Sequence, residues 1–233
     1  MTPTLAAAAG IGLILGFRHA FEPDHLAAVS TLATRQGSLS SALRLGAAWA
    51  LGHSVSVGLA VAALVVLGVR LPPRLLPLAD VGVGMLLVGL GGSVIMRYIR
   101  GRWHLHVHSH SSSESQHLHL HSHAAGHSHQ HAHAAGDARR SLGFGLLHGL
   151  AGSGAILVLL VAAAPTRGAQ LAYFAAFGLG TVAGMMLVSA VLATTVRVAS
   201  QRGERWAAWL HLGSAVASVA VGVILAVRTA FTF

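Results

Sequence analysis

Cysteine is absent from the 233 residues, so neither a disulfide nor a thiolate metal site is open to this chain. Lysine is absent too, and all fifteen basic residues are arginine. Aspartate and glutamate together number six, and charged residues make up 9% of the chain. An ordinary soluble domain carries about 25%, so a largely water-facing surface is excluded. No basic stretch precedes the first apolar run, and no cleavable leader is expected. Nothing resembles a nucleotide-binding motif, which leaves no place for work driven by bound nucleotide. The net charge of +9 does not point to nucleic acid either. The arginines stand at the ends of apolar segments, where they act as topology determinants.

What is there in quantity is apolar. Hydrophobic residues make up 54% of the chain, its mean hydropathy is +0.68, and the apolar residues fall in long blocks. That is the composition of a polytopic membrane protein. Six segments are long enough to span a bilayer: about 4–32, 42–69, 77–99, 141–164, 168–196 and 206–228. The first, third and fifth connections, with their helix ends, hold Arg35, Arg44, Arg97, Arg100, Arg102, Arg139, Arg140, Arg197, Arg202 and Arg205. The other side holds Arg70, Arg74, Arg167 and Arg228. The bias places the first group in the cytoplasm and both termini outside.

The segment that stands apart is Arg18-His19-Ala20-Phe21-Glu22-Pro23-Asp24-His25, inside the first apolar block. It carries five ionisable side chains in eight positions. Each charge at the centre of a bilayer costs roughly 2.5–3.5 kcal/mol, so such residues face a bundle interior and mark an ion or proton path. On an unbroken helix His19 and His25 would lie on different faces. Pro23 has no N–H for the carbonyl of His19 and its ring clashes there. A break around Ala20–Pro23 is therefore expected, which lets His19, Asp24 and His25 converge, with Glu22 near them. Two imidazoles and a carboxylate suit a divalent transition metal of the nickel, cobalt or zinc kind.

Histidine, four residues, then Asp-His in a first membrane helix resembles the motif of the nickel/cobalt transporter (NiCoT/NicO) superfamily. The run Gly16-Phe17-Arg18-His19 to Asp24-His25-Leu26-Ala27-Ala28-Val29 is most similar to its shorter, urease-accessory-type nickel permeases. Glu22 stands where many relatives carry aspartate. Leu51-Gly52-His53-Ser54 resembles the family's second-helix motif and brings in His53 as a further ligand. His148-Gly149-Leu150-Ala151-Gly152-Ser153-Gly154 resembles the same permeases in the fourth segment. Its glycines permit close helix approach, and His148 is a candidate to face the site from the second half. His211 and Asp80, near the starts of their segments, read as structural.

A faint internal repeat runs through the chain. Leu15-Gly16-Phe17 recurs as Leu142-Gly143-Phe144, Ala48-Trp49-Ala50-Leu51-Gly52 as Ala176-Phe177-Gly178-Leu179-Gly180, and Asp80-Val81-Gly82 is echoed by His211-Leu212-Gly213. Each unit holds three helices, so the second copy enters from the opposite side and the repeat is inverted. The expected fold is all-α: six transmembrane helices as two inverted three-helix repeats, 1–99 and 141–233, with a broken first helix. Between them, residues 104–133 hold twelve histidines among Ser, Ala, Gly and Gln. The connection 100–140 reads as a disordered, low-complexity cytoplasmic loop that buffers or captures metal. Its affinity falls below about pH 6, where imidazole protonates.

The resemblance implies a secondary transporter in a bacterial-type cytoplasmic membrane, not an enzyme. Its cargo is Ni²⁺, with Co²⁺ a second candidate, carried at His19, Asp24, His25, His53, Glu22 and His148, with no resident cofactor. Uptake is the expected direction; efflux on the same fold is the alternative. The expected partners are the ion, the lipid bilayer and a cytoplasmic metal acceptor. Two readings of another class compete. A rhomboid-type intramembrane serine protease would use Ser153 and His211, but the position two before the serine is Ala151 where that motif needs glycine. A membrane-anchored metal sensor would need only the loop, and it leaves the buried motif unexplained.

Overall fold

The computed structural model describes residues 3–33, 38–65, 75–100, 104–108, 117–121, 134–149 and 165–230. Within them are seven helices and one two-stranded ribbon: α1 (Pro3–His19), α2 (Pro23–Ala33), α3 (Leu39–Val65), α4 (Leu75–Ile99), β1 (His104–His108), β2 (His117–His121), α5 (Ala134–His148), α6 (Arg167–Arg202) and α7 (Glu204–Ala230). Four of the helices, α3, α4, α6 and α7, are each long and apolar enough to cross a membrane. α1 and α2 together form a fifth candidate span, bent by 59° at its break. The chain is a multi-pass membrane protein. Large apolar side chains such as Ile14, Leu59 and Leu171 point outward and are about two-thirds exposed, at 69%, 67% and 69%. Such a surface is costly in water and suits a lipid face.

The first span breaks where Pro23 demands it. Glu22 N–H donates to His19 O at 3.0 Å and Phe21 N–H to Arg18 O at 3.0 Å, closing tight turns in place of helical bonds. Pro23 then opens α2 as its first residue, a position where its missing N–H has no helical partner to lose. Two other boundaries differ from expectation. α5 begins at Ala134, inside the stretch assigned to the loop, and ends at His148. The remainder of the expected fourth segment, 150–164 with Ser153, lies outside the described residues. α6 runs on to Arg202 before Gly203, at φ 132, turns the chain into α7.

Ten residues of the histidine tract are described, and they form β1 and β2. β1 and β2 pair antiparallel, setting His104 opposite His121, His106 opposite His119 and His108 opposite His117. The reason is in the sequence: His-Leu-His-Val-His and His-Leu-His-Leu-His alternate with the period of a strand.

Three helix pairs hold the bundle: α1 with α6, α3 with α5, and α4 with α7. Each is a close backbone approach through glycine. A methyl at Gly16 would run into Phe177 O and one at Gly180 into Leu13 O. Likewise a methyl at Gly145 would meet Trp49 O and one at Gly52 would meet Leu142 O. Between α4 and α7, a methyl at Gly91 would meet Ala215 O and one at Gly222 would meet Gly84 O. There the Ser218 hydroxyl donates to Leu87 O at 3.0 Å. Gly12 lies against Tyr173, Gly16 against Phe177 and Ala20 against Gly184, so α1 runs parallel to α6. Leu45 meets Ser141, Trp49 meets Gly145 and His53 meets Gly149, so α3 runs parallel to α5. The α4–α7 contacts run antiparallel. The core between the pairs contains Trp49, Leu87 and Met185, each fully buried.

Candidate metal site

Four helices bring the polar side chains together. α1 ends on His19, the break carries Glu22, and the first turn of α2, after Pro23, carries Asp24 and His25. His53 lies at the middle of α3, and His148 is the last residue of α5. His19, His25, His53 and His148 are all buried, His25 completely. The bend does what an unbroken helix cannot: the rings of His19 and His25 stand 4.4 Å apart, centroid to centroid. The His25 ring is also 4.4 Å from that of His148 and 5.0 Å from that of His53.

Hydrogen bonds organise the cluster around Asp24. His25 Nδ1 donates to Asp24 Oδ1 at 3.2 Å, and His148 Nε2 donates to Asp24 Oδ2 at 3.0 Å. A carboxylate oxygen only accepts, so for neutral imidazoles these bonds assign the tautomers. His25 Nε2 and His148 Nδ1 then carry bare lone pairs, and neither has a hydrogen-bond partner among the described residues. His19 Nδ1 donates to Glu22 Oε1 at 3.1 Å. Its Nε2, 3.1 Å from His53 Nε2, therefore accepts, which leaves His53 Nδ1 as a third buried lone pair without a partner among the described residues. Buried polar atoms are nearly always paired. Three imidazole nitrogens with no partner among the described residues, in a cluster that also holds a carboxylate, offer lone pairs to a cation.

Two groups of ligand atoms are compact enough to hold one ion: His19, His25 and His53, and Asp24, His25 and His148. In each group the atoms lie within 4.8 Å of one another. Five of the six residues expected at the site thus meet. Glu22 stays at the rim, its side chain 41% exposed and bonded to His19, so it orients an imidazole and joins neither group. His211 is buried on α7, and neither it nor Asp80 belongs to either group. Two aromatic residues at the site had no place in the sequence reading of it. Phe177 packs its ring 5.2 Å from that of His19, and Trp49 packs 5.3 Å from that of His148. Their signal was present in the repeat, where Trp49 and Phe177 occupy the same position of Ala48-Trp49-Ala50 and Ala176-Phe177-Gly178.

The family described as NicO, High-affinity nickel-transport protein, matches residues 5–230. The chain is similar to the urease accessory protein UreH of Bacillus sp. (strain TB-90), 27% identical over 209 residues, which are 90% of this chain and 86% of that protein. No solved structure matches the chain.

Proposed function

Because the chain belongs to the NicO family of high-affinity nickel-transport proteins, we propose that it is a secondary transporter for Ni²⁺, with Co²⁺ as a second cargo, working as an uptake permease of the cytoplasmic membrane. The observation that carries this reading is the convergence of His19, Asp24, His25, His53 and His148 from both halves of the chain on one buried cluster. Histidine and carboxylate ligands suit Ni²⁺ and Co²⁺. A dication moving inward across 100 mV gains about 4.6 kcal/mol, at roughly 2.3 per charge, which is ample to drive uptake without nucleotide. The charge of Asp24 offsets part of the cargo's charge where solvation is poor.

The packing supports an inverted repeat of three helices. Gly16 against Phe177 corresponds to Gly145 against Trp49, at offsets of 129 and 128 residues. Leu13 against Gly180 corresponds to Leu142 against Gly52 in the same way. On the α4–α7 crossing an offset of 131 turns Gly91 into Gly222 and Gly84 into Ala215, so that crossing maps onto itself. The first-helix register is then 129, not the 127 of Leu15-Gly16-Phe17 with Leu142-Gly143-Phe144, and His148 is the counterpart of His19. Alternating helix directions, parallel in the first two pairs and antiparallel in the third, agree with six crossings. The two halves, 1–99 and 141–233, would rock about a site at their interface.

Purified protein in liposomes should take up Ni²⁺ when the interior is made negative, with Co²⁺ competing more strongly than Zn²⁺. No uptake under either polarity of the potential would end the proposal, and accumulation only against an inside-positive gradient would reverse its direction. Orientation has its own check. The arginine bias predicts that a reporter inserted within 104–133 lies in the cytoplasm and one at Phe233 lies outside. The opposite pattern would remove both the orientation and the role of the histidine tract as a receiver that passes metal to a cytoplasmic acceptor.

A further inference from the structure

His25 stands midway between two histidines that the helix packing relates to each other. Its ring is 4.4 Å from His19 and 4.4 Å from His148. Each outer histidine is backed by an aromatic from the corresponding helix of the other half, Phe177 at 5.2 Å and Trp49 at 5.3 Å. The two compact ligand groups divide along the same line. His19 and His53 lie with His25 on one side, Asp24 and His148 with it on the other, and His25 is the only residue common to both.

We infer that the transported ion has two alternative ligand sets, His19–His25–His53 and Asp24–His25–His148, which share His25 and serve the two access states of the transporter. The inference rests on the nickel-transport reading above. The sets differ in chemistry. The first is all imidazole and buried; the second contains a carboxylate whose side chain is 20% exposed. Three protein ligands leave a transition metal an open position, for water or for an incoming ligand. An ion can thus acquire a ligand from the second set before it drops one from the first. Two dications on either side of one imidazole ring would repel strongly, so the sets are occupied in turn. In the structure Asp24 is hydrogen-bonded within the second set and His19 to His53 within the first, so each set holds together with no ion between its members.

The absence of cysteine makes the test selective, because any thiolate-to-Co²⁺ charge-transfer band must come from an introduced residue and not from the histidine tract. In the full-length protein, His53→Cys and His148→Cys should each give such a band with Co²⁺, and His25→Ala should remove it from both. The double variant His53→Cys/His148→Cys should show the per-ion intensity of a single thiolate, because no one ion reaches both. About twice that intensity per ion would mean one site holding both residues and would overturn the inference, as would a band in only one of the single variants. If either variant does not fold, His19→Cys reports the first set and Asp24→Cys the second. No band in any variant, together with no Ni²⁺ uptake by the native protein, would instead remove the nickel-transport reading itself.

Discussion

Asp24→Asn is expected to lower Ni²⁺ transport by about a hundredfold or more while the protein still inserts and purifies as a folded species. The substitution preserves shape and removes charge. The carboxylate accepts from His25 at 3.2 Å and from His148 at 3.0 Å. An amide has one acceptor oxygen for two N–H donors, and its NH₂ would face the other. A dication would also lose the only charged ligand that either compact group offers, in surroundings that solvate it poorly. The informative companion is deletion of 104–133. Many redundant imidazoles on one connection should tolerate single losses, so the deletion should shift apparent affinity or metal tolerance and leave turnover largely intact. Both proteins would be compared by Ni²⁺ uptake in liposomes, with size-exclusion profiles as the control for folding. An inactive deletion beside an active Asp24→Asn would mean that the chain is organised around its histidine tract and not around its buried cluster.

The second large effect is structural. Gly145→Ala should prevent assembly of the bundle, whereas Gly143→Ala, two residues earlier on the same helix, should stabilise it slightly. A methyl at Gly145 would run into the backbone oxygen of Trp49, and one at Gly143 would meet no atom of the described residues within 4 Å. A flexible side chain can move aside, but a carbonyl in a packed helix cannot, so α5 would have to separate from α3. Overpacking costs roughly 1–3 kcal/mol where the surroundings can adjust, and more is expected here. At Gly143 the change only improves helix propensity, by about 0.5–1 kcal/mol. Thermal unfolding in detergent reads the difference. Equal stability of the two variants would show that the α3–α5 contact is looser than the structure has it.

Much of this site is legible in the sequence because the physics involved is local. Proline 23 forbids one hydrogen bond, and the helix breaks there. The break lets His19, Asp24 and His25 meet, and an isolated histidine in the middle of an apolar helix, His53, has few reasons to be there. What local reasoning misses is set by angles between elements. That His25 is shared by two ligand groups follows from a 59° bend and from where α5 ends, and neither is written in any short run of residues. Trp49 and Phe177 look like ordinary core aromatics until their helices are paired. The register of the proposed repeat is hard to read from letters for a different reason: among Gly- and Leu-rich segments a two-residue slip still matches, and the positions of close backbone contact favour an offset of 129 over 127. The ribbon in the histidine tract was readable, since its alternation has period two, but composition alone says only that the tract is polar.

α6 is long for its task. At 1.5 Å per residue its 36 residues extend about 54 Å, against roughly 30 Å of hydrocarbon and 40–45 Å for the whole bilayer. Fitting it inside the hydrocarbon by tilt alone would need an inclination beyond the usual limit of about 40°. At least one end must therefore stand clear of the lipid tails. Arginine stands at both ends, Arg167 at the first and Arg197 and Arg202 at the last; the exposed Trp206 just past Gly203 singles out the last, since arginine and tryptophan settle at headgroup level. The last turns of α6 and the first turn of α7 thus form a post rising through the headgroups. A bilayer that thickens or thins moves the waterline along this post without reaching the buried histidines.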